Sequence, residues 1–231
     1  MKPTTSLKTA VLVFALSQQE EVKRKSFLFH SDLPSELNAH ALKIAHDSGL
    51  DYFHFCENEQ IGSSFGERFS NAIAKIYDKG YEAVITLGND SPNLTVHHLK
   101  ETAKKLEENT IVLGPTYDGG FYLMGLRREH FKKDIFVDFS WNTGHIRQQI
   151  QHYIVQADAS YLLLDVLYDI DSLVDLKRVY RTLDLFQRRL RLAIQQLLQA
   201  AFPIFNQEIE PISFLSFSQI HTRGSPYSFL P

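Results

Sequence analysis

Short, continuous apolar runs alternate along this chain with segments whose apolar residues return every three or four positions. "TAVLVFAL" (9–16) is rich in β-branched and aromatic residues without alternation, the pattern of a strand buried on both faces. In "SELNAHALKIAHDSGL" the residues Leu37, Ala41, Ile44 and Ala45 share one helical face, and Gly49 is placed to end the helix. "DYFHFC" reads as a second strand. "SSFGERFSNAIAKIYDKGY" reads as a helix with Phe69, Ile73, Ile76 and Tyr77 inward and Gly80 at its C-terminal end. "EAVITLG" gives a third strand and "SPNLTVHHLKETAKKLEEN" another helix.

This alternation predicts an α/β domain of three layers, α/β/α, whose mostly parallel sheet is covered by helices on both faces. Between Ser172 and Phe202 there is neither Gly nor Pro. Leu173, Leu176, Val179, Tyr180 and Leu183 keep helical spacing, as do Leu190, Ile194, Leu197 and Leu198, so one long or two consecutive helices close the domain. The division expected is residues 1–182 as the α/β domain, then 183–231 as a C-terminal helix and extended arm. The arm, from Pro203 on, is aromatic and punctuated by proline, and is expected to pack on the same domain or to form a homodimer contact.

A chain of 231 residues can bury one sizeable core. Its 24 basic and 27 acidic side chains give a net charge of −3, so any anion site must be local and no broad pull toward nucleic acid exists. The lone cysteine, Cys56, reads as a buried strand residue and fits a reducing compartment. No stretch approaches membrane-spanning length, and the cytoplasm is the expected location. His97 and His98 are adjacent and point about 100° apart on a helix, so they read as surface residues rather than a metal pair. The basic "FQRRLRLAI" (186–194) carries apolar residues at helical spacing and reads as an amphipathic helix with a solvated face. No zinc-protease, nucleophile-elbow or Walker-type phosphate motif occurs.

Chemistry is expected where strands end on carboxylates. "AVITLGNDSPNLT" (83–95) stops at Asn89 and Asp90, and "NTIVLGPTYDGGFYLMGL" (109–126) carries Asp118, Gly119 and Gly120. In an open α/β sheet the carboxyl ends of strands face the ligand. Mg²⁺ or Mn²⁺ takes oxygen ligands, commonly one or two carboxylates plus substrate phosphates. The plainer readings are that Asp90 or Ser91 caps a helix beginning near Pro92, and that Asp118-Gly119 is a hairpin turn, which can hold together with a ligand site.

These blocks resemble the bacterial DUF2064 family, assigned as glycosyltransferases and related to nucleotide-diphospho-sugar transferases of the GT-A fold. The shared blocks are G-x-D-x-P-x-L at residues 88–94 and LGP-x-x-DGG-x-Y-L-x-GL at 113–126. "FSWNTGHI" and "LYDIDSLVDL" resemble two later blocks, and the likeness runs from residue 9 to about 180. It implies a GT-A-like fold and a metal held by Asp90, with Asp171 as a second ligand. Asp118 would be the catalytic or orienting carboxylate. Gly119, Gly120, Trp141 and Thr143 would line the sugar or acceptor side, beside Asn142. Lys23, Lys25, Glu67, Arg68 and Asn89 would meet the nucleotide. Read without the family, Arg68 is a solvated helix residue, Trp141 a packed core aromatic, and Asp169 and Asp171 caps of a helix at Ser172.

One segment departs from the family. Its members carry a Pro- and Gly-containing basic loop after the first strand, whereas this chain has "FALSQQEEVKRKSF", with Leu16 for an arginine and Glu20 and Glu21 beside the phosphate path. The implied activity is sugar transfer from a nucleotide-diphospho-sugar to an acceptor, assisted by Mg²⁺ or Mn²⁺. The alternatives are a guanylyltransferase-like nucleotidyltransferase, or a binding protein that kept the scaffold and lost the loop.

Overall fold

The computed structural model describes residues 7–185 and 187–202. Six strands form one sheet in the order β2-β1-β3-β5-β4-β6. They are β1 (Thr9–Phe14), β2 (Asp51–Phe55), β3 (Ala83–Leu87), β4 (Thr110–Pro115), β5 (Phe121–Arg127) and β6 (Ser160–Leu163). Both neighbours of β1 run parallel to it, as does β6 to β4, while β5 lies antiparallel between β3 and β4. The sheet is therefore mixed. The reversal comes from Asp118-Gly119, which turns β4 back into β5 as a hairpin, as the turn signal of that dipeptide predicts.

Helices cover both faces because each central strand is apolar on both. Ala10 and Leu12 of β1 face α3 (Phe65–Asp78), α5 (Lys133–Asp138) and α6 (Ile146–Gln156). Val11 and Val13 face the other way, onto α2 (Leu33–Asp47) and α4 (Val96–Glu107). At these faces the predicted inward residues of α2 and α3 are buried. α5, α6 and β6 were not expected, although Ile146, Ile150 and Ile154 stand four apart and all three are buried.

A third cluster joins α2 to two consecutive helices, α7 (Leu173–Thr182) and α8 (Arg188–Ala201), through Leu37, Leu176, Val179, Leu190 and Ile194. The basic segment is thus an amphipathic helix, with Leu190, Ala193, Ile194 and Leu198 buried. Residues 203–231, the predicted arm and dimer contact, lie outside the described residues. Cys56 follows β2 rather than lying in it and is only half-buried, its Sγ donating to Glu59 Oε2 at 3.0 Å.

Gly66 sets how closely α3 approaches α5. A Cβ there would lie 2.3 Å from the Val137 carbonyl oxygen and 2.9 Å from the Trp141 ring. Gly66→Ala is expected to cost about 1–2 kcal/mol by forcing these elements apart, read as a lower midpoint in denaturant unfolding.

Candidate functional site

A cleft of about 560 Å³ opens where β1, β3 and β4 end, and its wall includes Leu16, Glu21, Lys25, Arg68, Asp90, Asp118, Trp141, Asp169 and Asp171. Its two sides differ in chemistry. One side is aromatic: Trp141 packs against Phe65 and Phe69 with ring centroids 5.5 and 5.0 Å apart. The Trp141 indole donates to the Phe136 carbonyl at 2.6 Å, which fixes the ring. Trp141 is thus a packed aromatic and a wall of the cleft at once.

The other side is acidic. No helix begins near Pro92; α4 starts at Val96 with Thr95 as its N-cap, so neither Asp90 nor Ser91 is a cap. α7 is likewise preceded by Ser172 as N-cap, whose hydroxyl bonds Asp175 Oδ2 at 2.6 Å, and Asp169 and Asp171 are left to the cleft. Carboxylate oxygens of Asp118, Asp169 and Asp171 come within 4.8 Å of one another, an acidic group that could hold a metal ion. Burial, then the neighbouring Asp118 and Asp171, push the Asp169 carboxyl up to about 7.

Lys25 neutralises part of this charge. Its ammonium stands 3.0 Å from Asp90 Oδ1, 2.9 Å from Asp171 Oδ1 and 2.8 Å from the Ile170 carbonyl oxygen. An ammonium has three donors, and all three are committed. Burial works against the charge on Lys25, but Asp90 and Asp171 outweigh it and hold its pKa above the ordinary value. Burial raises the Asp90 carboxyl, with Lys25 offsetting part of the rise.

The departing segment forms a helix, α1 (Gln18–Arg24), with Ser17 as N-cap and Glu20 three residues on. That turn of helix buries Glu21 to 7% exposure in the cleft wall. Burial, then Asp90, raise its carboxyl from 4.5 to about 7. A carboxyl raised on folding stabilises fully below the unfolded value, 4.5, and that contribution is lost as pH rises through about 7. Glu21→Gln is therefore expected to be about 1–2 kcal/mol more stable than the wild type at pH 8, the difference vanishing near pH 4, in thermal unfolding across pH.

Other expected residues divide. Arg68, Asn89, Gly120, Asn142 and Thr143 line the cleft, together with Arg24, and Asn89 also donates to Asn38 Oδ1 at 2.8 Å. Glu67 instead caps α3, accepting from the Ser63 and Ser64 amides at 2.6 and 3.3 Å while its own amide donates to Ser64 Oγ. Lys23 is exposed and pairs with Glu20. Gly119, at φ +98°, closes the hairpin turn that carries Asp118, an angle that strains other residues. Among the described residues no helix is long and apolar enough to cross a membrane.

A protein from Desulfovibrio desulfuricans G20 described as a "putative nucleotide-diphospho-sugar transferase" is similar over 87% of this chain and 97% of its own, with a TM-score of 0.69 and 23% identity. Rv0371c from Mycobacterium tuberculosis H37Rv is similar over 76% of this chain and 98% of its own, at 0.50 and 12%. At these identities the likeness is one of fold. No curated protein matches the sequence. Residues 31–143, just under half of the chain, match the model of a family described as an uncharacterized protein conserved in bacteria, DUF2064, and the chain has an α/β fold like that of the Desulfovibrio protein.

Proposed function

We propose that this protein is a glycosyltransferase that moves a sugar from a nucleotide-diphospho-sugar to an acceptor, assisted by Mg²⁺ or Mn²⁺. The observation that carries the reading is the convergence of Asp118, Asp169 and Asp171 in one cleft with an aromatic wall. Three carboxylates are the donor set a hard divalent cation takes, so the residues fit the metal, and they are the ones that would hold it. Bound there, the cation would neutralise the diphosphate leaving group.

Each side chain then has a task. Asp90 keeps Lys25 in place, and Lys25 ties the Asp171 segment to the end of β3. Lys25 reaches a phosphate only by releasing one of its three acceptors, which leaves Arg24 and Arg68 as the cleft's other cations toward the diphosphate. Trp141 excludes water from one side, with Thr143 beside it. Asp118, whose Oδ1 accepts from Thr116 and the Gly120 amide, has one free oxygen, so it serves either as a third metal ligand beside Asp169 and Asp171 or as the group that orients the acceptor and takes its proton, the latter requiring hydrogen-bond reach of the acceptor hydroxyl.

The test is product analysis after incubation with nucleotide-sugars and Mn²⁺. Release of a nucleoside diphosphate supports sugar transfer, and pyrophosphate released from a nucleoside triphosphate would replace it by the nucleotidyltransferase alternative. A second reading, a binding protein without catalysis, is favoured by Glu21, a carboxyl buried in the cleft wall near Asp90 and Lys25, where it would oppose a bound phosphate. It predicts nucleotide binding without turnover.

A further inference from the structure

The segments that deliver Asp118 and Asp169 run side by side in register. Thr116 and Leu167 form a parallel bridge, and the Leu167 amide donates to the Pro115 carbonyl at 3.1 Å. One residue further along each segment stands a tyrosine, and one further again an aspartate of the acidic group. The two tyrosines, Tyr117 and Tyr168, stack with ring centroids 4.1 Å apart and planes 17° from parallel. Neither lies in the cleft wall. The pair stands beside it, in chain contact with the two acids.

This stack is built to present one face. Tyr168 is partly buried against the helical cluster that contains Leu28, Ile170 and Leu176. Tyr117 lies over it and remains 62% exposed. A ring held from behind loses little further freedom when a ligand covers its front, since tyrosine has only two side-chain torsions. Its flat apolar face with a polar edge matches the C–H face of a pyranose ring, whose hydroxyls point outward around the rim.

Resting on the transferase reading, we propose that the Tyr117–Tyr168 stack is a carbohydrate platform that seats a saccharide ring of the acceptor next to the transfer site. The donor's nucleotide requires the cleft, and the platform lies outside it. A sugar seated on Tyr117 is one residue's length from Asp118, so a neighbouring ring or hydroxyl of the same acceptor reaches the acids. The acceptor class is therefore a glycoside or oligosaccharide.

Saturation-transfer NMR with methyl α-mannopyranoside, methyl β-glucopyranoside, maltose and cellobiose tests this in the wild type, Tyr117→Ala and Tyr117→Phe. The expected result is transfer to the protons of one ring face, lost in Tyr117→Ala and kept in Tyr117→Phe. With a glycoside as acceptor, Tyr117→Ala is expected to raise its KM roughly tenfold, leaving kcat and nucleotide-sugar affinity unchanged. Equal transfer in the wild type and Tyr117→Ala, or none from any of the four sugars, overturns the platform. Nucleotide-sugar binding measured in the same samples separates the two failures: if it persists, the transferase reading stands without the platform, and if it is absent, both fall.

Discussion

Asp169→Asn is expected to lower Mn²⁺ affinity roughly 100-fold or more while leaving the protein folded and slightly more stable. The three acids Asp118, Asp169 and Asp171 lie close together, and burial, then the charges of Asp118 and Asp171, hold Asp169 up to about 7. A group raised in this way costs stability as pH rises past its folded value, so removing the charge relieves the fold at pH 8 while it deletes a metal ligand. Opposite signs in function and stability are the mark of a site kept for binding rather than for folding. Mn²⁺ titration followed by electron paramagnetic resonance, with thermal unfolding at pH 8, reads both. Unchanged Mn²⁺ affinity would remove Asp169 from the metal site, and a lower unfolding temperature would make it structural.

Lys25→Met is expected to act in the other direction, destabilising the protein by about 2–3 kcal/mol at neutral pH and strengthening Mn²⁺ binding. The Lys25 side chain is 16% exposed and pairs with two carboxylates. Those carboxylates are more exposed, Asp90 at 36% and Asp171 at 56%, so water softens the loss and the figure stays below that of a fully buried pair. A lysine whose pKa is raised on folding contributes its full stability below the unfolded value, 10.5, and so does all of its work at neutral pH. Once the ammonium is gone, Asp90 and Asp171 are released to a divalent cation, and Mn²⁺ should recover part of the lost stability. Denaturant unfolding with and without Mn²⁺ measures this. Equal stability of variant and wild type would show that the lysine's three contacts carry no net energy.

The sequence showed its long elements clearly because their signals are redundant. β1 and β3 are unbroken apolar runs, and α2 and α3 each carry four inward residues and a following glycine at positive φ. α1 is masked in the sequence although Ser17 and Glu20 spell a helix start, because its run of charged residues equally suits a degraded phosphate loop. The antiparallel place of β5 follows from the Asp118-Gly119 turn, whose hairpin signal is compatible with a ligand site at the same residues.

At the site, Asp90, Asp118 and Asp171 were visible as strand-end or motif carboxylates. What was not visible is their partition. Lys25 stands between Asp90 and Asp171, and Asp169 joins Asp118, because the segments after α1, β3, β4 and β6 meet in space at sequence separations no local pattern records. Glu67 shows the converse: its position in the family's block has a sufficient local cause in the cap of α3. The Tyr117–Tyr168 stack had a signal too, a Tyr-Asp pair in each of two motifs, but only the parallel bridge at Thr116 and Leu167 gives that repetition meaning.

The most direct measurement is calorimetric titration of nucleoside diphosphates, triphosphates and nucleotide-sugars into the wild type and Asp118→Asn, each with and without Mn²⁺. At least one nucleotide-sugar is expected to bind the wild type only with Mn²⁺, and Asp118→Asn to lose this binding while remaining folded. A folded wild type that binds none of them, or binds equally well without the metal, would contradict the metal-assisted transferase site.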